Sequence, residues 1–330
     1  MLVPRLTTPL LLAAALLAFA GRPAVPPLEQ VASIPLPGVQ GRIDHLAVDV
    51  QARRLYVAAL GNNTVEVLDL RNNRHERSVA GFKEPQGIGV VPETSEVVVA
   101  NGQGEGAEFR RGGDLHLSRS VPLGDDADNV RVDPRASRVY VGYGSGAIAA
   151  LDATNGRKLG EAPVGGHPES FQLEAAGPRI FVNVPAAHHI SVIDRIQMKV
   201  SATWPVTAAG ANYPMALDES GRRLFLGCRT PPVVLVYDTD SGRQAGSVEV
   251  AGDTDDLFWD AGRQRLYVTA GEGFIDVVQF IGERPRRTAH LSSAAGARTS
   301  LFVPALGRLY LAVPHRGSQA AEVRVFETRD

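Results

Sequence analysis

Seven copies of one short pattern at a near-constant spacing, alternating apolar and polar residues within each copy, and a stray strand-like segment ahead of the first copy together predict a seven-bladed β-propeller. Helical solenoids share a period near 40 residues. Here, however, each unit is rich in Val, Ile, Tyr and Phe, alternates in the two-residue rhythm of strands, and is punctuated by turn clusters such as Asp238-Thr239-Asp240-Ser241-Gly242 and Asp152-Ala153-Thr154-Asn155-Gly156.

The copies begin Asp44-His45-Leu46-Ala47-Val48-Asp49, Gln86-Gly87-Ile88-Gly89-Val90-Val91, Asp128-Asn129-Val130-Arg131-Val132-Asp133 and Glu169-Ser170-Phe171-Gln172-Leu173-Glu174. Tyr213-Pro214-Met215-Ala216-Leu217-Asp218, Asp255-Asp256-Leu257-Phe258-Trp259-Asp260 and Arg298-Thr299-Ser300-Leu301-Phe302-Val303 complete the set. Successive copies start 41 to 44 residues apart, the length of a four-stranded blade. Eight residues past the end of each copy stands an aliphatic residue: Val57, Val99, Val141, Val182, Leu226, Val268 or Leu311. Such constancy marks one unit repeated, read as a four-stranded meander; in the third unit the strands are Asn129 to Val132, Arg138 to Gly142, Ala147 to Leu151 and Lys158 to Pro163.

A seventh unit beginning at Arg298 needs about 42 residues and overruns the last residue, Asp330. Glu29 to Leu36, which resembles the closing strands of other units, is therefore expected to complete the last blade beside Glu322 to Phe326. Closure by both ends removes a sheet edge that would otherwise template aggregation.

At the start of the chain, Arg5, the ten-residue apolar run Leu10 to Phe19, and Ala18-Phe19-Ala20 before Gly21 predict a secretory signal peptide over residues 1–20. The run is shorter than the 18 or so apolar residues of a membrane span. A flexible lead is expected over 21–28 and a single propeller domain over 29–330. A periplasmic or secreted location follows.

With 34 basic and 36 acidic residues, a net charge of −2 and no run of like charge, nothing in the composition points to nucleic acid or a membrane surface. A lone cysteine, Cys228, excludes an intrachain disulfide and reads as a small buried hydrophobe.

The sequence resembles the YVTN-type β-propeller repeat proteins of bacteria. Tyr56-Val57-Ala58-Ala59, Tyr140-Val141-Gly142-Tyr143 and Tyr267-Val268-Thr269-Ala270 hold the positions of the family's tetrapeptide, and Pro85-Gln86-Gly87-Ile88-Gly89-Val90 and Ser191-Val192-Ile193-Asp194 extend the likeness. The resemblance implies a propeller fold and an envelope location; because the family's roles are diverse, it implies little chemistry.

Chemistry is expected at one mouth of the central channel. The first position of every copy stands there, and all seven occupants are polar: Asp44, Gln86, Asp128, Glu169, Tyr213, Asp255 and Arg298. The second positions add His45, Asn129 and Asp256, with Ser170 and Thr299. A strand start is half wet, so polar types arise there on solvation grounds alone; the unlike occupants nevertheless make a directional surface. Loops between second and third strands are expected to bring Asn62, Asn101, Tyr143, His188, Arg229, Glu272 and His315 to the same face. Converging carboxylates suit a hard cation such as calcium, with Asp44, Asp128, Glu169 and Asp255 as candidate ligands, or a polyhydroxylated or cationic small molecule. For Arg298 an ion pair with Asp44 or Asp255 is the competing assignment.

No catalytic residue stands out. There is no HExxH, paired CxxC or CxxCH. Gly102-Gln103-Gly104-Glu105-Gly106 lacks the Lys of a phosphate loop, and Gly142-Tyr143-Gly144-Ser145-Gly146 is out of register for a nucleophile elbow. The Asp238 turn carries Gly242 and Arg243 where a calcium loop needs a ligand and a glycine. The adjacent His188-His189 pair is expected to have one ring packed and one exposed. The expected function is a non-catalytic, monomeric binding or scaffold protein of the envelope, holding a small molecule or another envelope protein. The alternative is a metal-dependent lactonase or hydrolase similar to the gluconolactonase propellers, from which the chain departs in having seven repeats rather than six. A quinone-cofactor dehydrogenase is weaker, since the regularly placed Trp of such repeats is missing.

Overall fold

In the computed structural model, residues 25–104 and 106–330 are described; the expected signal peptide lies outside them. Among the described residues seven four-stranded antiparallel sheets form, six of them consecutive meanders. In the seventh, Ser300–Val303, Arg308–Val313 and Glu322–Thr328 are completed by Leu28–Pro35, which pairs antiparallel with Glu322–Thr328 from Leu28↔Thr328 to Pro35↔Glu322. The closing strand begins at Leu28, inside the expected lead, because Leu28 is buried between the sixth and seventh blades. Helix among the described residues is confined to single 3₁₀ turns at Leu60–Asn62, Pro185–Ala187 and Pro304–Leu306, and no helix is long and apolar enough to cross a membrane.

The register follows from the repeat. In every blade the third residue of the copy lies opposite the constant aliphatic position: Leu46↔Val57, Ile88↔Val99, Val130↔Val141, Phe171↔Val182, Met215↔Leu226, Leu257↔Val268 and Ser300↔Leu311. All seven aliphatic residues are fully buried. An acidic residue closing the inner strand then ties the next turn: Asp49 accepts from the Ala52 N–H at 2.8 Å, Asp133 from Arg135 at 3.1 Å, and Asp218 from Gly221 at 3.0 Å. The Asp238 segment is such a turn, its carboxylate accepting from the Ser241 N–H and hydroxyl at 2.8 and 2.7 Å.

No blade buries its faces alone. Each apolar cluster is shared by two neighbours, and the cluster joining Leu46, Leu55 and Val57 to Val303, Tyr310 and Val323 links the first blade to the last. That contact, with the Thr299 hydroxyl donating to Ile43 O at 3.2 Å, closes the ring. The inner strands Pro85–Val91 and Ala127–Asp133 approach so closely that a Cβ at Gly87 would stand 1.7 Å from Asp128 O, and one at Gly89 would stand 2.9 Å from the Val130 side chain. Only glycine permits this approach.

Candidate functional site at the channel mouth

Ring closure brings the first-position residues toward one opening, where Asp44, Asp128, Glu169 and Asp255, from four different blades, feel one another's charge. Their environments differ, because cations reach only some of them.

Asp44 is buried at 3 % exposure, held by His45 Nδ1 at 2.6 Å and by Arg42 Nη2 at 2.7 Å. Burial alone would raise its carboxyl; the hydrogen bond and charge of His45 and the charge of Arg42 prevail and hold it at about 2. Burial would likewise strip the proton from His45, but the bond and charge of Asp44, aided by Asp256 and Asp128, hold the imidazole up at about 10. His45 therefore stands at the mouth as a cation at neutral pH.

Asp255 lies between two guanidinium groups, Arg229 Nη2 at 2.6 Å and Arg298 Nε at 2.9 Å. Burial outweighs both and still raises its carboxyl. Arg298 also holds Asp253 at 2.8 Å, so the expected pairing with Asp255 forms, while Asp44 takes other partners. Arg229 stacks on the Tyr213 ring, 4.2 Å from its centroid, placing the phenol at the edge of this cluster.

Asp128 and Glu169 differ from these two. Among the described residues neither has a cationic group within 4 Å. Burial, strengthened by Asp44 and Glu169 and only partly offset by His45, pushes the Asp128 carboxyl up to about 7. Burial with the charges of Asp255 and Asp44 does the same for Glu169, also to about 7, against His45 and Arg229. Asp128 Oδ1 and the neighbouring Asn129 Oδ1 are buried acceptors without a donor, an arrangement that costs about 1–3 kcal/mol per group when left unmet.

Below the mouth a cavity of about 330 Å³ opens in the channel, its polar walls made by His45, Arg131, Gln172, Asp256 and Ser300. Asp256 accepts from the Ser300 N–H at 2.8 Å, and burial still raises its carboxyl to about 7. Arg131 was not expected here. It donates to Val130 O at 2.9 Å and Ser170 Oγ at 3.2 Å, and burial lowers its basicity. The signal for it lay in the repeat: the fourth position holds Ala47, Gly89, Ala216, Phe258 and Leu301 in five of the other copies and Gln172 in the sixth, so Arg131 is the one charge in that row.

Other expected residues stand apart. Gln86 donates to Asp126 at 3.3 Å beside the mouth. Of the second-to-third loop residues, Arg229 joins the cluster. Tyr143 turns outward to Glu161 on the fourth strand of its blade, Glu272 accepts from the Gly252 N–H at 2.8 Å, Asn62 bonds Thr64, Asn101 accepts from the Lys83 N–H, and His188 is exposed. His189 is half-buried and lies 3.0 Å from Ser191 Oγ, so the histidine pair divides as expected. Among the described residues no group of three or more His, Cys, Asp or Glu side chains is placed to share a metal ion.

No protein-family model and no curated protein sequence matches the chain. Solved structures match it in fold. A chain of the mitotic checkpoint complex superposes with a TM-score of 0.77 at 13 % identity, covering 98 % of this chain and 100 % of that one. A chain of hydrazine synthase from Kuenenia stuttgartiensis superposes with a TM-score of 0.73 at 14 % identity, covering 87 % of this chain and 97 % of that one. At such identities the likeness shows the propeller fold alone.

Proposed function

We propose that the protein is an exported, non-catalytic binding protein of the YVTN-repeat type that holds a small hydrogen-bond-donating ligand, polyhydroxylated or cationic, at the channel mouth. The observation that carries this is the orphaned pair Asp128 Oδ1 and Asn129 Oδ1 at the mouth, next in the chain to Val130 and Arg131 of a mostly apolar channel cavity that also carries His45, Gln172 and Asp256. Buried acceptors without donors are complementary to hydroxyl or ammonium groups. Asp44 and Asp255 are already neutralised by their own cations, so Asp128 and Glu169 remain to meet the ligand. The cavity is of the size that accommodates small molecules.

The test is a thermal-shift screen of the chain without residues 1–20 against sugars, polyols and diamines, followed by calorimetry on Asp128→Asn and on Asp44, Asp128 and Asp255 replaced together. Binding that survives intact in the triple variant overturns the mouth as the site. Metal analysis of the purified protein decides the hydrolase alternative: bound calcium that is lost in the triple variant favours it over the binding protein.

A further inference from the structure

The face opposite the mouth, where first strands turn into second and third into fourth, carries a cleft of about 520 Å³ between the third and fourth blades. Its lining includes Arg135, Arg138 and Arg195 against one acid, Asp133. Arg195 is occupied, with Nη1 on Asp133 at 3.1 Å and Nη2 on Gly177 O at 2.7 Å. Arg135 and Arg138 differ: among the described residues neither has a carboxylate within 4 Å. Each spends one hydrogen bond on a backbone carbonyl, Arg135 on Ala175 O at 2.8 Å and Arg138 on Arg195 O at 3.4 Å. A guanidinium has five N–H donors, so most of theirs are free.

Tyr140 supplies an independent observation. Its side chain is fully buried, lines this cleft, and its hydroxyl has no partner. The same position of the repeat is satisfied in other blades: the Tyr56 hydroxyl donates to Gly112 O at 2.6 Å, and that of Tyr267 to Asp260 at 3.0 Å. Arg195 stands in the fourth blade where Gly112 stands in the second, each directly after the third strand. Its carbonyl accepts from Arg138 and not from Tyr140, whose O–H lacks the kind of acceptor that Gly112 gives Tyr56.

We infer that this cleft binds a small oxyanion-headed ligand, a carboxylate or phosphate, held by Arg135 and Arg138 and accepting a hydrogen bond from the Tyr140 hydroxyl. Pro178 and the exposed Ile196 offer apolar surface for the rest of the molecule. The cleft is separate from the channel, and the two sites stand or fall independently.

Calorimetric titration with inorganic phosphate and, separately, succinate at pH 7 and low salt tests the inference and separates the two headgroups. Saturable one-site binding of one of them is expected, weakened several-fold in Tyr140→Phe with the melting temperature unchanged and about tenfold in Arg138→Ala, as loss of a hydrogen bond to a charged group implies. Should Arg138→Ala fold poorly, Arg135→Ala, at an exposed position, takes its place. The inference is overturned by no saturable heat up to tens of millimolar of either probe, by unchanged affinity in Tyr140→Phe and the arginine variant, or by loss of binding in Asp128→Asn.

Discussion

Asp44 Oδ1 lies 2.6 Å from His45 Nδ1, and these two adjacent side chains form a buried ion pair at the start of the first blade. The acid is held at about 2 and the imidazole at about 10. Asp44, depressed in the folded chain, contributes stability that is present above its unfolded value of 3.8 and lost as pH falls toward 2. His45, raised when folded, contributes stability that is present below its unfolded value of 6.5 and lost as pH rises toward 10. The pair therefore supports the fold most between about pH 4 and 6.5. In Asp44→Asn the His45 ring, followed by NMR titration, is expected to lose its charge at a markedly lower pH than in the unaltered chain. An unchanged midpoint would show that Asp44 is not its partner.

Asp128 has the opposite sign. Its carboxyl ionises at about 7 in the folded chain against 3.8 unfolded, so between those values ionisation works against folding, and above 7 the whole penalty is present. Asp128→Asn is expected to raise stability on the order of 2 kcal/mol at pH 8 and to leave it nearly unchanged at pH 4. Denaturant melts at the two pH values measure this. The same change is expected to weaken ligand binding at the mouth, the usual opposition of stability and function at a site.

Asp255→Ala removes the acid between Arg229 and Arg298 and leaves the half-exposed Asp253 as the one carboxylate near both. A loss of about 2–3 kcal/mol is expected, between the values for exposed and for buried pairs. Asp255→Asn keeps the shape and one acceptor oxygen for the arginines and is expected to lose less. Equal losses would mean that charge rather than shape is what the arginines require.

Removal of residues 25–35 exposes the Glu322–Thr328 strand along its full hydrogen-bonding edge and uncovers the cluster around Ile34 and Leu36. The truncated chain is expected to aggregate. Light scattering during refolding checks this; a soluble monomer with an unchanged melting temperature would mean that the seventh blade does not need its borrowed strand.

Blade number and register were legible because each is written seven times, closure because one strand-like segment stands before the first copy, and the third-position pairing with Val57 and its six counterparts repeats a spacing visible in the chain. The polar character of the first positions was also legible, since those positions are equivalent by symmetry. Their states were not. Asp44 and Asp128 are the same residue type at the same repeat position, yet the one is held near 2 and the other near 7. The difference lies in Arg42, carried by the loop before the first copy, and in His45, whose second position holds Asn129 in the third copy. Tyr143 likewise sits at a mouth-facing position by count but reaches Glu161 instead, because a long side chain at a strand end chooses between two directions that spacing does not distinguish.

The backbone N–H of Arg329 donates to Pro27 O at 3.0 Å, so the two ends of the ordered ring touch at the rim of one blade. Topologically the circle has no first blade: a short peptide joining these ends, with a new break at the exposed turn Arg71–Asn73, would complete the seventh blade within one stretch of chain and make the first blade the one closed by both ends, with Arg74–Ala80 as its borrowed strand. The position at which translation starts is thus independent of the architecture, and the seam is a place where the molecule can be cut and resealed without disturbing either the mouth or the arginine cleft.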